Sequence, residues 1–192
     1  MRLRTTLEWV LATTAGWAVG WSIGGAVGEV GGGAVSGFVG GSLAGLLQWL
    51  VVRRFLDPTG TWWAAATIGG WAAAVILGVA VEALTSGLVV RTIGAGIGLV
   101  LIAVAQWLYL RTRVSHAWIW LLANALGIIA GGGAVLVVYF VAGVRPASAP
   151  GGALLGLGLG IVTGVAFAWL LATRGSVQVS DDRPAGDPPQ AR

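Results

Sequence analysis

The chain has 192 residues, of which 9% are charged, 57% are apolar and 33 are glycine, and its mean hydropathy is +0.88. Soluble domains carry about 25% charged residues, so a water-facing surface of this size could not be covered, and a polytopic membrane protein is expected. A net charge of +4 with no basic run longer than Arg53-Arg54 points to membrane topology and not to nucleic acid.

Six apolar segments follow one another at 5–29, 33–56, 62–84, 88–110, 117–142 and 151–173. Each reaches the ~20 residues that a bilayer-spanning helix needs. Glu8 interrupts the start of the first, and its apolar stretch is too long for a signal peptide, so it reads as an uncleaved helix. Helix breakers separate the segments, among them Asp57-Pro58-Thr59-Gly60 and Thr85-Ser86-Gly87, and all six prolines lie in connections or in the tail. Beyond Arg174 the composition turns polar and proline-rich. Residues 1–174 are therefore expected to form the transmembrane domain, and 175–192 a disordered cytoplasmic tail.

Orientation follows from the arginines. Arg2, Arg4, Arg53, Arg54, Arg111, Arg113 and Arg174 fall at one end of the spans, and Arg91 and Arg145 at the other. The asymmetry places both termini in the cytoplasm. Absence of lysine beside abundant Ala, Gly, Val and Arg suggests GC-rich bacterial coding, hence a bacterial inner membrane. Trp9, Trp49, Trp62, Trp63, Trp107, Trp118, Trp120 and Trp169 lie near the arginine-bearing ends, which predicts a one-sided Trp/Arg belt.

Paired segments show an internal repeat. Trp9, Trp63 and Trp120 each precede a glycine by seven residues, at Gly16, Gly70 and Gly127. Gln48-Trp49-Leu50-Val51-Val52-Arg53 matches Gln106-Trp107-Leu108-Tyr109-Leu110-Arg111, and Ala168-Trp169-Leu170 is a degraded third copy. The expected fold is all-α, with six transmembrane helices as three parallel helical hairpins over 5–56, 62–110 and 117–173. Glycines four apart share one helix face, so Gly16, Gly20, Gly24 and Gly28, then Gly37, Gly41 and Gly45, then Gly156, Gly160 and Gly164 are expected to form glycine zippers. Gly94-Ala95-Gly96-Ile97-Gly98 looks like a dinucleotide loop, but it lies within an apolar helix and follows no strand.

The run Gly41-Ser42-Leu43-Ala44-Gly45-Leu46-Leu47-Gln48-Trp49-Leu50-Val51-Val52-Arg53-Arg54, with Trp63 and Gly70-Trp71 beyond it, resembles a bacterial family of small glycine-rich membrane proteins. That family carries Gly-x-x-x-Gly-x-x-Gln-Trp-x-x-x-Arg repeats. The likeness covers the first two hairpins and departs in the third, and it implies a multi-pass membrane location without a particular chemistry. Three two-helix repeats are also the plan of mitochondrial carriers. Their Pro-x-Asp/Glu-x-x-Lys/Arg signature is missing from every odd segment here.

Polar residues inside the spans are the candidates for binding. Gln48, Gln106, Asn124, Thr13 and Thr67 fall at one depth, about 6–8 Å in from the arginine-bearing ends, and predict a polar collar. Interhelical hydrogen bonding is the plainer role, and a shallow site open to the cytoplasm the sharper one. Glu29 and Glu82 are placed at the outer interface, where Glu82 and Arg91 can form an ion pair across the second hairpin's turn. His116 reads as an interface residue. No cysteine is present, and no nucleophile–base pair or carboxylate dyad stands in the chain, so neither catalysis, metal nor cofactor is expected.

Two function classes follow. One is a structural or interaction protein that organises lipid, other membrane proteins or further copies of itself through glycine faces and the Trp/Arg belt. The alternative is a small transporter or channel. A pathway needs polar groups at several depths, whereas mid-bilayer positions here are mostly Gly, Ala, Val, Leu and Trp, which favours the first class.

Overall fold

The structure, a computed structural model, describes residues 2–28, 32–56, 61–84, 88–143, 145 and 148–181, with side chains described except at 2, 81–84, 88–96 and 175–181. Among the described residues six helices occur: α1 Arg2–Val27, α2 Gly32–Val52, α3 Trp62–Leu84, α4 Leu88–Leu110, α5 Ile119–Ala142 and α6 Ala149–Asp181. Five are long and apolar enough to cross a membrane, and α4 adds the apolar stretch Ile97–Leu110. No strand is present among the described residues.

Helix ends follow local chemistry. Gly143 adopts a left-handed φ of 66° after α5, and its N–H donates to the Tyr139 carbonyl at 3.0 Å, so an otherwise unpaired carbonyl is satisfied. Pro150 sits in the first turn of α6, where its missing N–H costs no helical bond. The same helix is described to Asp181, seven residues into the segment expected to be disordered.

Each helix packs on its neighbours in sequence, and α6 returns against α1, so the six close into a ring. Among the described residues α1 meets α2 and α6 most extensively, and α4 meets α5 least. Leu3, Leu11, Ile76, Ile129, Phe140 and Val141 are exposed on the outside. In lipid that surface needs no polar cover, so helix association must come from packing and hydrogen bonds and not from hydrophobic burial.

Glycines let the backbones approach. A Cβ on Gly16 would sit 2.5 Å from the Ala44 nitrogen, one on Gly20 would strike the Gly40 backbone, and one on Gly24 would strike Ser36. Gly37, Gly41 and Gly45 instead meet Trp71 and Thr67 of α3. On α6, Gly156 would meet Thr14 Cα at 2.7 Å, Gly160 would meet Thr13 Cβ at 3.1 Å, and Gly164 would meet Trp9 Cδ1 at 3.1 Å, all on α1. Gly28 departs from its series. Its φ is 93° and nothing lies within 4 Å of its would-be Cβ, so it ends α1 and makes no helix crossing. The face of α2 that meets α1 is Gly32, Ser36, Gly40 and Ala44, a four-residue series offset by one from the zipper expected there.

Candidate functional site

Side chains from all six helices meet on the ring axis. At the arginine-bearing end, Trp9, Trp63 and Trp120 are 0%, 0% and 1% exposed. Their ring centroids lie 5.7, 5.6 and 5.4 Å apart in a nearly equilateral triangle, every pair edge-to-face. Phe167 stacks on Trp9 at 4.6 Å. Indole pairs in this geometry contribute ~0.5–1.5 kcal/mol beyond their buried area. These three tryptophans were expected in the interfacial belt, and the structure moves them to the core. Trp62, Trp118 and Trp169 do face outward, and Arg53 and Arg111 lie over the rings of Trp49 and Trp107 at 5.1 and 5.4 Å.

The polar layer lies one turn further in. Gln48 Nε2 donates to Thr13 Oγ1 at 2.9 Å, and Gln106 Nε2 donates to Thr67 Oγ1 at 2.9 Å. Each threonine hydroxyl donates in turn to the carbonyl of the tryptophan four residues earlier, Thr13 to Trp9 and Thr67 to Trp63, both at 2.9 Å. Trp120 Nε1 donates to Gln106 Oε1 at 3.1 Å. All four Gln and Thr side chains are buried. Asn124 stands at the same depth, but its Nδ2 donates to the Trp120 carbonyl at 2.9 Å and so satisfies its own helix.

Thr163 of α6 completes the layer, whereas the expected repeat puts Ala168 opposite Gln48 and Gln106. Its hydroxyl accepts from Trp9 Nε1 at 3.0 Å and donates to the Leu159 carbonyl at 2.7 Å. It was missed because no repeat counterpart marked it, although it is the one polar side chain in the middle of α6. Trp63 Nε1, by contrast, is buried without a hydrogen-bond partner.

Beneath the triangle is a cavity of about 40 Å³ whose wall includes Gln48, Thr67, Gln106, Asn124 and Thr163. That is room for two or three waters. The triangle covers the layer on the arginine-bearing side. Trp17 and Trp71, 5.4 Å apart and edge-to-face, line it further along the axis.

Other candidates lie elsewhere. Glu29 falls outside the described residues, as do the side chains of Glu82 and Arg91 with their expected ion pair. His116 is exposed in the turn before α5, at a φ of 59° and with its ring 5.9 Å from Trp169. Among the described residues no cluster of His, Cys, Asp or Glu could hold a metal ion. Comparison with family models, curated proteins and solved structures yields no match to this chain.

Proposed function

We propose that this is a non-enzymatic integral membrane protein of the structural or interaction type, built from three parallel hairpin repeats and lying in a bacterial inner membrane with both termini cytoplasmic. The observation that carries the reading is the closure of the axis at its arginine-bearing end. The buried amides and hydroxyls are engaged with one another and with indole N–H groups, and the tryptophan triangle seals them from the arginine-bearing end. Equivalent Gln–Thr bonds in the first two hairpins and the triangular indole core support the repeat, and the backbone approaches at Gly16, Gly20 and Gly156 support glycine-zipper packing. Outward-facing apolar side chains and the remaining Trp/Arg rim then present the ring to lipid and to neighbouring proteins.

A channel or transporter is the second reading, favoured by the cavity on the axis and its polar wall. Swelling of vesicles carrying the purified protein in small neutral solutes separates the two. The structural reading expects no solute entry above empty vesicles. Entry through the wild type that falls when Gln48 and Gln106 are both replaced by Leu would overturn it, provided the double variant stays folded.

A further inference from the structure

A second polar feature lies outside the axial core. At the arginine-bearing end a cleft of about 590 Å³ is walled by Arg4, Thr5, Glu8, Arg54 and Phe55, between the first two turns of α1 and the turn that follows α2. Glu8 accepts from Arg4 Nε at 2.9 Å and from Arg54 Nη1 at 2.6 Å. Arg174 joins from α6, where its Nη1 donates to the Phe55 carbonyl at 2.9 Å. Three guanidinium groups against one carboxylate leave the cluster two charges positive (3 − 1).

The carboxylate holds two of the cations side by side without matching their capacity. A guanidinium offers five N–H donors in a planar fork, and Arg4 and Arg54 each direct one of them to Glu8. Both remain solvent-accessible, with side chains 83% and 52% exposed. Leu3, Leu7 and Leu11 form an exposed stripe on α1 beside Arg4 and Glu8. A cationic cleft alongside an apolar stripe matches a molecule with an anionic head and hydrocarbon tails. Basic pockets between helices on the cytoplasmic side are where anionic headgroups are held.

We propose that this cleft binds the phosphate headgroup of an anionic phospholipid, with its acyl chains along the Leu3–Leu7–Leu11 stripe. The inference rests on the reading that this end lies at a membrane interface, and it supplies that reading with a specific lipid. Arg4 and Arg54 make charge-assisted hydrogen bonds to the phosphate oxygens through N–H groups not directed at Glu8.

Native mass spectrometry of the full chain in mild detergent tests it, with phosphatidylglycerol and phosphatidylcholine supplied in equal amounts. Wild type should retain phosphatidylglycerol preferentially, and Arg54→Gln or Arg4→Gln should each reduce the preference about fivefold. Arg54→Lys should keep most of it, and Arg111→Gln, in the turn after α4, should leave it unchanged. Glu8→Gln decides between a ligand site and a structural ion pair: it weakens the pairing but raises the positive charge, so the lipid preference should be kept or increased. Equal retention of the two lipids by wild type, or loss of the preference in Glu8→Gln, overturns the proposal. Displacement of the lipid by millimolar inorganic phosphate would assign the cleft to free phosphate and overturn the lipid. Solute entry in the swelling assay would overturn the structural role while leaving these retention results intact, so the two failures are distinguishable.

Discussion

Trp120 Nε1 donates to Gln106 Oε1 at 3.1 Å, and this bond ties α5 to α4 across the seam where neighbouring helices touch least among the described residues. Gln106 thereby serves two partners, because its Nε2 also donates to Thr67. Gln48 has the corresponding bond to Thr13.

That asymmetry separates the two glutamines. Gln106→Leu removes two side-chain bonds and strands the buried Trp120 N–H, whereas Gln48→Leu removes the bond to Thr13, whose hydroxyl still donates to the Trp9 carbonyl. Interhelical bonds in membranes contribute ~0.6 kcal/mol each, and a stranded buried donor costs about 1–3 kcal/mol. Thermal unfolding in detergent should rank wild type above Gln48→Leu and Gln48→Leu above Gln106→Leu. The reverse order would show that the seam does not depend on Gln106.

The tryptophan triangle should respond unequally to substitution. Replacing any member by Phe removes similar volume, but Trp9 loses its bond to Thr163 and Trp120 its bond to Gln106, while Trp63 Nε1 has no partner to lose. Trp63→Phe should therefore be milder than Trp9→Phe or Trp120→Phe by about 1 kcal/mol. Equal losses in denaturant or thermal titrations would mean that ring packing alone sets the cost.

Glycine substitutions should differ in sign according to the neighbouring backbone. Gly20→Ala places a methyl against Gly40, and Gly156→Ala places one 2.7 Å from Thr14 Cα, so the helices must separate, at a cost of about 1–3 kcal/mol. Gly133→Ala meets nothing within 4 Å and should stabilise α5 by up to about 1 kcal/mol through helix propensity. Melting temperatures that move in the same direction for all three would remove close approach as the reason for these glycines.

Topology is tested by reporters. A fusion after Arg174 should be active as a cytoplasmic reporter, and one in the 144–147 connection as a periplasmic one, because seven arginines lie at the first of these ends and two at the other. Activity on opposite sides from these would invert the protein.

Composition and segment length were sufficient to read six helices from the sequence, five of them long and apolar enough to cross a membrane, since a chain this apolar has few ways to satisfy its backbone in lipid other than helix. Position along each helix was equally legible, because a rise of ~1.5 Å per residue converts sequence offset into depth. Hence Thr13, Gln48, Thr67 and Gln106 could be assigned to one layer before any contact was known. Rotation about each helix axis could not be read in the same way. Apolar residues cover all faces of these spans, so no polar stripe marks the side that faces water or the core. Trp62 and Trp63 show the consequence: they are adjacent and at nearly the same depth, yet one is 61% exposed and the other fully buried. Neighbouring residues point ~100° apart on a helix, and only the ring of six decided which tryptophan faced the axis. The same cause hid Thr163 and the Gly32–Ser36–Gly40–Ala44 face, whose roles come from the partners that α1 presents to them.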